Sequence, residues 1–307
     1  MFTLPGGYVR YLYLTGLFAF FIVAALVIEI VFSMTGSGLS VMQGRGVGQA
    51  MLYAAGLITI LAYSSFIACD HPIRFLALYG KNWRRFAKGF GFFAAIAVLA
   101  SVAAYAILLT VGQAVFDWGA LDAMGSKTVR RIAISLLIVM VLATAEELIF
   151  RGFLMRYLRF APGAAVTISA VIVSSLIFAF LHKIEDPMGW VEPANTQLFV
   201  GLFLLSVALS MSYIYSGSMA VPAGLHFGFL VLEIFRFKTA GIVMQGGAWW
   251  APIDQDVRTA PFVWMLFVVI GVGTYIWRRR IHDAFVVEKA VQADTDLSEA
   301  HPLAAKA

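Results

Sequence analysis

The sequence predicts an all-α fold, a polytopic membrane protein built as a bundle of about eight transmembrane helices. Three observations predict it. The apolar set AVILMFWYC makes up 61% of the 307 residues and Asp, Glu, Lys and Arg only 13%, against about 45–50% and about 25% in a soluble domain. So much apolar surface exceeds what a water-soluble fold of this size can hide. Uncharged stretches also recur at lengths near the roughly 20 residues that cross a bilayer. Lys and Arg gather mostly between those stretches. A disordered chain, a disulfide scaffold and a cytosolic enzyme are excluded as leading readings. A single cysteine, Cys69, leaves no internal disulfide and no cysteine-cluster metal site. The net charge of +5 follows membrane topology rather than a basic stripe on a soluble face, so nucleic acid is not an expected partner.

The segments follow in chain order. Tyr11 to Ile28, extended to Met34, is the first. It is longer than a signal-peptide h-region and only Arg10 precedes it, so a retained span is expected. Gly46 to Cys69 is the second and Gly89 to Phe116 the third. Ile132 to Ala145 is too short alone. Val129 to Phe160, 32 residues, makes one helix of about 48 Å, longer than the hydrocarbon core of about 30 Å. That long helix carries Glu146 to Arg159 in its second half. Pro162-Gly163 turns the chain into the fifth segment, Phe160 to Leu181. Pro193 to Leu232 holds no formal charge over 40 residues, enough for two spans. Ser216-Gly217-Ser218 marks the break, and Pro222 sits in the first turn of the later helix, where its missing N–H costs least. Thr259 to Trp277 is the last span. The loop from Thr239 to Val257, with Trp249-Trp250, reads as an interfacial anchor.

Residues 1–280 are thus expected to form an integral membrane helical domain, and 281–307 a polar, loosely ordered tail. The side carrying the stretch KNWRRFAK at 81–88 and Arg278-Arg279-Arg280 is richer in Lys and Arg. That side is expected to be cytoplasmic, with both termini on it. The lipid bilayer is the first partner the sequence implies.

Ionisable groups inside spans are costly and mark function by default. The informative ones are Glu146, Glu147, Arg151, His182, His226 and Glu233; Glu29 lies near a span end. On a helix Glu147 and Arg151 are i and i+4, acid first, the favourable order for an ion pair. Such a pair serves structure, but it leaves Glu146, about 100° around the helix, unexplained. Glu146 and His182 are equidistant from residue 164, at the turn, so an antiparallel hairpin sets them at equal depth. Phe178 is i−4 from His182 and can wall the same site. His226 lies roughly 12 Å into its helix. Two imidazoles and paired carboxylates on three helices are hard to explain as packing alone. A poorly solvated carboxylate is a useful general base toward water. Imidazoles orient that water, donate to an oxyanion or bind a metal. Two His and a Glu can hold zinc with an open position, but no local spacing demands one. Ser–His–Asp residues and a GxxxxGK[ST] loop are not apparent.

Glu146-Glu147-xxx-Arg151, then Phe178-xxx-His182, then His226 on a third helix resemble the CPBP intramembrane proteases, which include the type II CAAX prenyl endopeptidases and the Abi proteins. The resemblance covers about residues 130–235. It implies an intramembrane endopeptidase, a hydrolase acting on a membrane-associated protein or peptide. Catalysis would rest on Glu146, His182 and His226, with Glu147, Arg151 and Phe178 in support. It implies either a glutamate protease or a metalloprotease, the latter with one divalent ion such as zinc on Glu146, His182 and His226. The expected location is a multi-pass protein of the bacterial inner membrane.

The sequence departs from that pattern once. The family's third motif resembles HxxxN or HxxxD, whereas here the run is His226-Phe227-Gly228-Phe229-Leu230. Losing an oxyanion donor costs on the order of 10²–10³ in rate. Glu233, seven residues after His226, is a possible substitute although about 10.5 Å along the axis. Two other functions stay open: a non-catalytic membrane partner or immunity protein of the same fold, and a proton-coupled transporter. The transporter expects related halves or broken helices, and neither is evident.

Overall fold

The computed structural model describes residues 82–159, 163–182, 193–245, 250–253 and 256–285. The first two expected spans, Glu29, the turn at Pro162 and the tail beyond Phe285 lie outside the described residues. Within them the chain is helical and membrane-like, as expected, with five helices long and apolar enough to cross a bilayer. These are Trp83–Thr110 (α1), the run Ser126–Leu154, Ala164–Leu181 (α5), Pro193–Ser216 (α6), and Ala220–Thr239 (α7). The run from Ser126 begins as an α-helix to Glu147 (α3), continues as a π-helix over Leu148–Leu154 and ends as Met155–Leu158 (α4). A short helix, Trp118–Asp122 (α2), precedes it.

The last span is shorter than the sequence suggests. Pro261–Ile276 (α8) has 16 residues, about 24 Å, and starts with Pro261 in the first turn, where proline is pre-organised for the helix. The chain then turns at Trp277 and resumes as Arg278–Phe285 (α9), so helix takes in the first five residues of the expected tail, from Ile281 to Phe285.

The third span also ends early. Gly112 at φ 73° takes the left-handed conformation that stops α1. Gln113 N–H donates to Leu108 O at 2.8 Å and Gly112 N–H to Leu109 O at 3.3 Å, the two bonds of a Schellman cap. The chain beyond is free to extend. Ala114–Phe116 (β1) pairs antiparallel with Ile242–Met244 (β2), with Val115 opposite Val243. Part of the Thr239–Val257 loop is therefore built into a two-stranded ribbon. Ala114 and Met244 close a small core with Tyr105 and Leu108.

The described chain forms two compact units, one comprising Ala145–Ser174 and the other the remainder. In the larger unit α1 and α7 run side by side. A Cβ on Gly224 would collide with the Phe90 carbonyl, and one on Gly228 with the Ala94 carbonyl. The absence of those side chains is what lets the two backbones approach, the small-xxx-small device of membrane helices. The main core gathers Phe93, Ala97, Leu205, Leu209, Leu225 and Phe267 from α1, α6, α7 and α8. Gly217 at φ 61° makes the break between α6 and α7. Its neighbours close it, Ser218 N–H donating to the Ser216 hydroxyl at 3.1 Å.

Candidate active site

In the smaller unit the two carboxylates stand at the junction where α3 becomes π-helical. Arg151 Nη1 donates to Glu147 Oε1 at 2.9 Å, with both side chains fully buried. Glu146 is 6% exposed and within electrostatic reach of the same guanidinium. Arg151 also lies over the Phe150 ring, 5.8 Å from its centroid. The pair foreseen at i and i+4 is therefore present, and one cation answers two adjacent acids. The π-helical geometry was not foreseen. Single turns of this kind concentrate at functional sites, because the extra residue per turn re-aims side chains.

In the larger unit Phe178 is fully buried and touches both imidazoles. Its ring centroid is 4.3 Å from that of His182 and 5.9 Å from that of His226, the latter edge-on. His182 Nδ1 is 2.8 Å from the Phe178 carbonyl oxygen. A carbonyl only accepts, so Nδ1 carries the proton. In the neutral ring Nε2 then holds the lone pair, able to take a proton from water or to ligate. Phe178 thus holds His182 twice, by its ring and by its backbone. His226 is 4% exposed on the closely packed α7.

Glu233 is engaged elsewhere. Its Oε1 accepts from the Tyr105 hydroxyl, and its Oε2 accepts from Arg236 Nη2 at 2.8 Å and Nε at 3.3 Å. Tyr105 and Arg236 were not singled out in the sequence. Tyr105 stands in an uncharged span 128 residues from Glu233, and no linear spacing links them. Glu233 still lines a cavity of about 40 Å³ together with His226, Leu230 and Tyr105. Such a volume holds one to a few waters. Leu230 contributes an apolar wall there, where the resemblance expects a polar side chain.

Near the same end, outside the membrane-spanning helices, Asp256 and Arg258 pair at 2.7 Å. Burial alone would raise the Asp256 carboxyl, but the Arg258 guanidinium and its hydrogen bonds outweigh it and hold the group below its ordinary value.

The described residues thus bring Glu147 to Arg151 in one unit, and Phe178 to His182 and His226 in the other. Among the described residues no three His, Cys, Asp or Glu side chains are arranged to hold a metal ion.

Residues 128–232 match the family described as Type II CAAX prenyl endopeptidase Rce1-like. The resemblance drawn from the motifs is thereby borne out over the same helices, and all six motif residues fall inside the match. Glu233 and Tyr105 fall outside it. No curated protein and no solved structure matches the chain.

Proposed function

We propose that this integral membrane protein is an intramembrane endopeptidase that hydrolyses a peptide bond in a membrane-associated protein or peptide. The observation that carries the reading is the aromatic–imidazole cluster of Phe178, His182 and His226, within the matched segment that also holds buried Glu146. In this reading Glu146 takes a proton from water as the oxygen adds to the scissile carbonyl carbon. An imidazole N–H donates to the developing oxyanion, the role that dominates acyl-transfer catalysis. The proton held by Glu146 then passes to the departing amine nitrogen, restoring the carboxylate. Glu147 and Arg151 keep the helix carrying Glu146 in place. The hairpin symmetry about residue 164 supports Glu146 and His182 at one depth. A prenylated C-terminal peptide is the substrate class the family description suggests. A cytoplasmic membrane with both termini inside suits the charge bias.

Leu230 favours a second reading, a fold kept for binding another membrane protein without hydrolysis. The test compares processed peptides from cells carrying the native protein and Glu146→Ala at equal abundance. A product present only with the native chain is expected. Identical peptide sets would remove the hydrolytic reading and leave the binding one.

A further inference from the structure

The end of the molecule formed by the start of α1 and the junction of α8 with α9 takes no part in the chemistry above. Arg84, Arg85 and Lys88 are exposed on the first turns of α1, as are Arg279 and Arg280 on α9. The two elements are neighbours, since α9 packs on both α1 and α6 and Ile281 joins the core that contains Phe93. Trp83 and Trp277 are exposed beside them, at 60% and 59%. Each marks the end of an apolar helix, where tryptophan favours the headgroup level. Arg278 is tied down, 4.3 Å from the Tyr275 ring centroid and donating to the Tyr275 carbonyl at 2.9 Å. That anchor leaves Arg279 and Arg280 outermost.

At the α8–α9 junction lies a hollow of about 280 Å³ lined by Ile276, Trp277, Arg278, Arg279 and Arg280. An apolar ridge leads away from it along one face of α8. Met265, Val269, Val272 and Ile276 are each at least half exposed and recur at helical spacing. A cationic hollow at the interface continuous with an apolar track has the polarity of a single amphiphile. We propose that this site seats an anionic phospholipid, its phosphodiester among Arg278, Arg279 and Arg280 and its acyl chains along α8. Arg84, Arg85 and Lys88 add long-range attraction, and the exposed tryptophans border the glycerol level. A zwitterionic lipid fills the same track, but its own headgroup cation offsets much of the attraction between its phosphodiester and the arginines.

Each Lys or Arg near an anionic surface contributes a roughly fivefold preference, so removing two lowers it by about 25-fold. The experiment takes the full chain in detergent, exchanged against equimolar phosphatidylglycerol and phosphatidylcholine, with retained lipid counted by native mass spectrometry. The native protein should retain phosphatidylglycerol selectively, and Arg279→Gln/Arg280→Gln should lose about 25-fold of that selectivity. Arg130→Gln/Arg131→Gln, exposed cations at the start of α3, should leave it unchanged. Equal losses in both double variants, no selectivity in the native protein, or displacement of the lipid by excess inorganic phosphate would each overturn the site. Because the readout is lipid retention, it stands or falls independently of proteolysis.

Discussion

Replacing Arg151 by leucine tests the support of the carboxylate helix most directly. Arg151 and Glu147 are both fully buried and meet at 2.9 Å. The charge-assisted hydrogen bond accounts for about 1.5–3 kcal/mol. Stranding Glu147 adds the cost of an uncompensated buried charge, and the sum for breaking a buried pair is about 3–5 kcal/mol in soluble proteins. Glu146 loses the same neighbour, which pushes the loss toward the upper end. Arg151→Leu should therefore lower the thermal midpoint in detergent sharply, followed by fluorescence-detected gel filtration after heating. Glu147→Leu/Arg151→Leu removes both charges and should regain most of the loss, because well-packed apolar substitutes for a buried pair are often neutral or better. A double variant as unstable as the single would refute the reasoning. If Arg151→Leu is as stable as the native protein yet loses the Glu146-dependent product, Arg151 acts on the chemistry rather than on the helix.

Three further outcomes are expected. In a Cys69→Ser background, Glu146→Cys/His182→Cys should form an oxidative cross-link, seen as a mobility shift that reductant reverses; no cross-link, with Glu146→Cys/Phe116→Cys as a negative control, speaks against a shared site. Gly228→Leu should destabilise by the overpacking cost of about 1–3 kcal/mol or more, since its Cβ meets the Ala94 backbone, whereas Gly91→Ala, with open space around it, should not lower the midpoint. Asp256 sits below its ordinary value of 3.8 through Arg258, against the opposing effect of burial. A depressed carboxyl stabilises above its unfolded value and loses that contribution as pH falls through its folded one. The gap in thermal midpoint between native protein and Asp256→Asn should be full at neutral pH and close below about pH 3.8; a constant gap would show that the ion pair is not its source.

The helices were readable because hydropathy reports length and charge, the two quantities a bilayer selects. The break at Ser216–Ser218 and the Glu147–Arg151 pair were readable because both are local. The π-helix at Leu148–Leu154 was not, since replacing one backbone register by another leaves no mark in apolar spacing. Nor was the β1–β2 ribbon, whose strands are three residues each and lie over a hundred positions apart. In the site, Phe178 beside His182 followed from helical spacing, but its contact with His226 depends on lateral packing between α5 and α7. Tyr105 was invisible for the same reason. It occupies an apolar span as a packing residue would, and only the adjacent α7 reveals its hydroxyl as the partner of Glu233.

That partnership decides what Glu233 can do about Leu230. Both carboxylate oxygens of Glu233 are occupied, one by Tyr105 and the other by Arg236, so it fastens α7 to α1 and stays where it is. A carboxylate could not stabilise an oxyanion in any case, since it accepts and does not donate when ionised. Loss of the polar group at position 230 is thus not made good by Glu233, and in an active enzyme the oxyanion falls to an imidazole. Leu230→Asn would place an amide donor one turn from His226 on the same face, in the wall of the cavity that already holds His226. The fit is favourable in volume, because asparagine is no larger than leucine. In a hydrolase, formation of the Glu146-dependent product should hold level or rise, by up to about 10²-fold if the donor is well aligned. A marked fall in that product with the protein intact would show that the apolar wall itself is needed, and that position 230 faces substrate rather than the oxyanion.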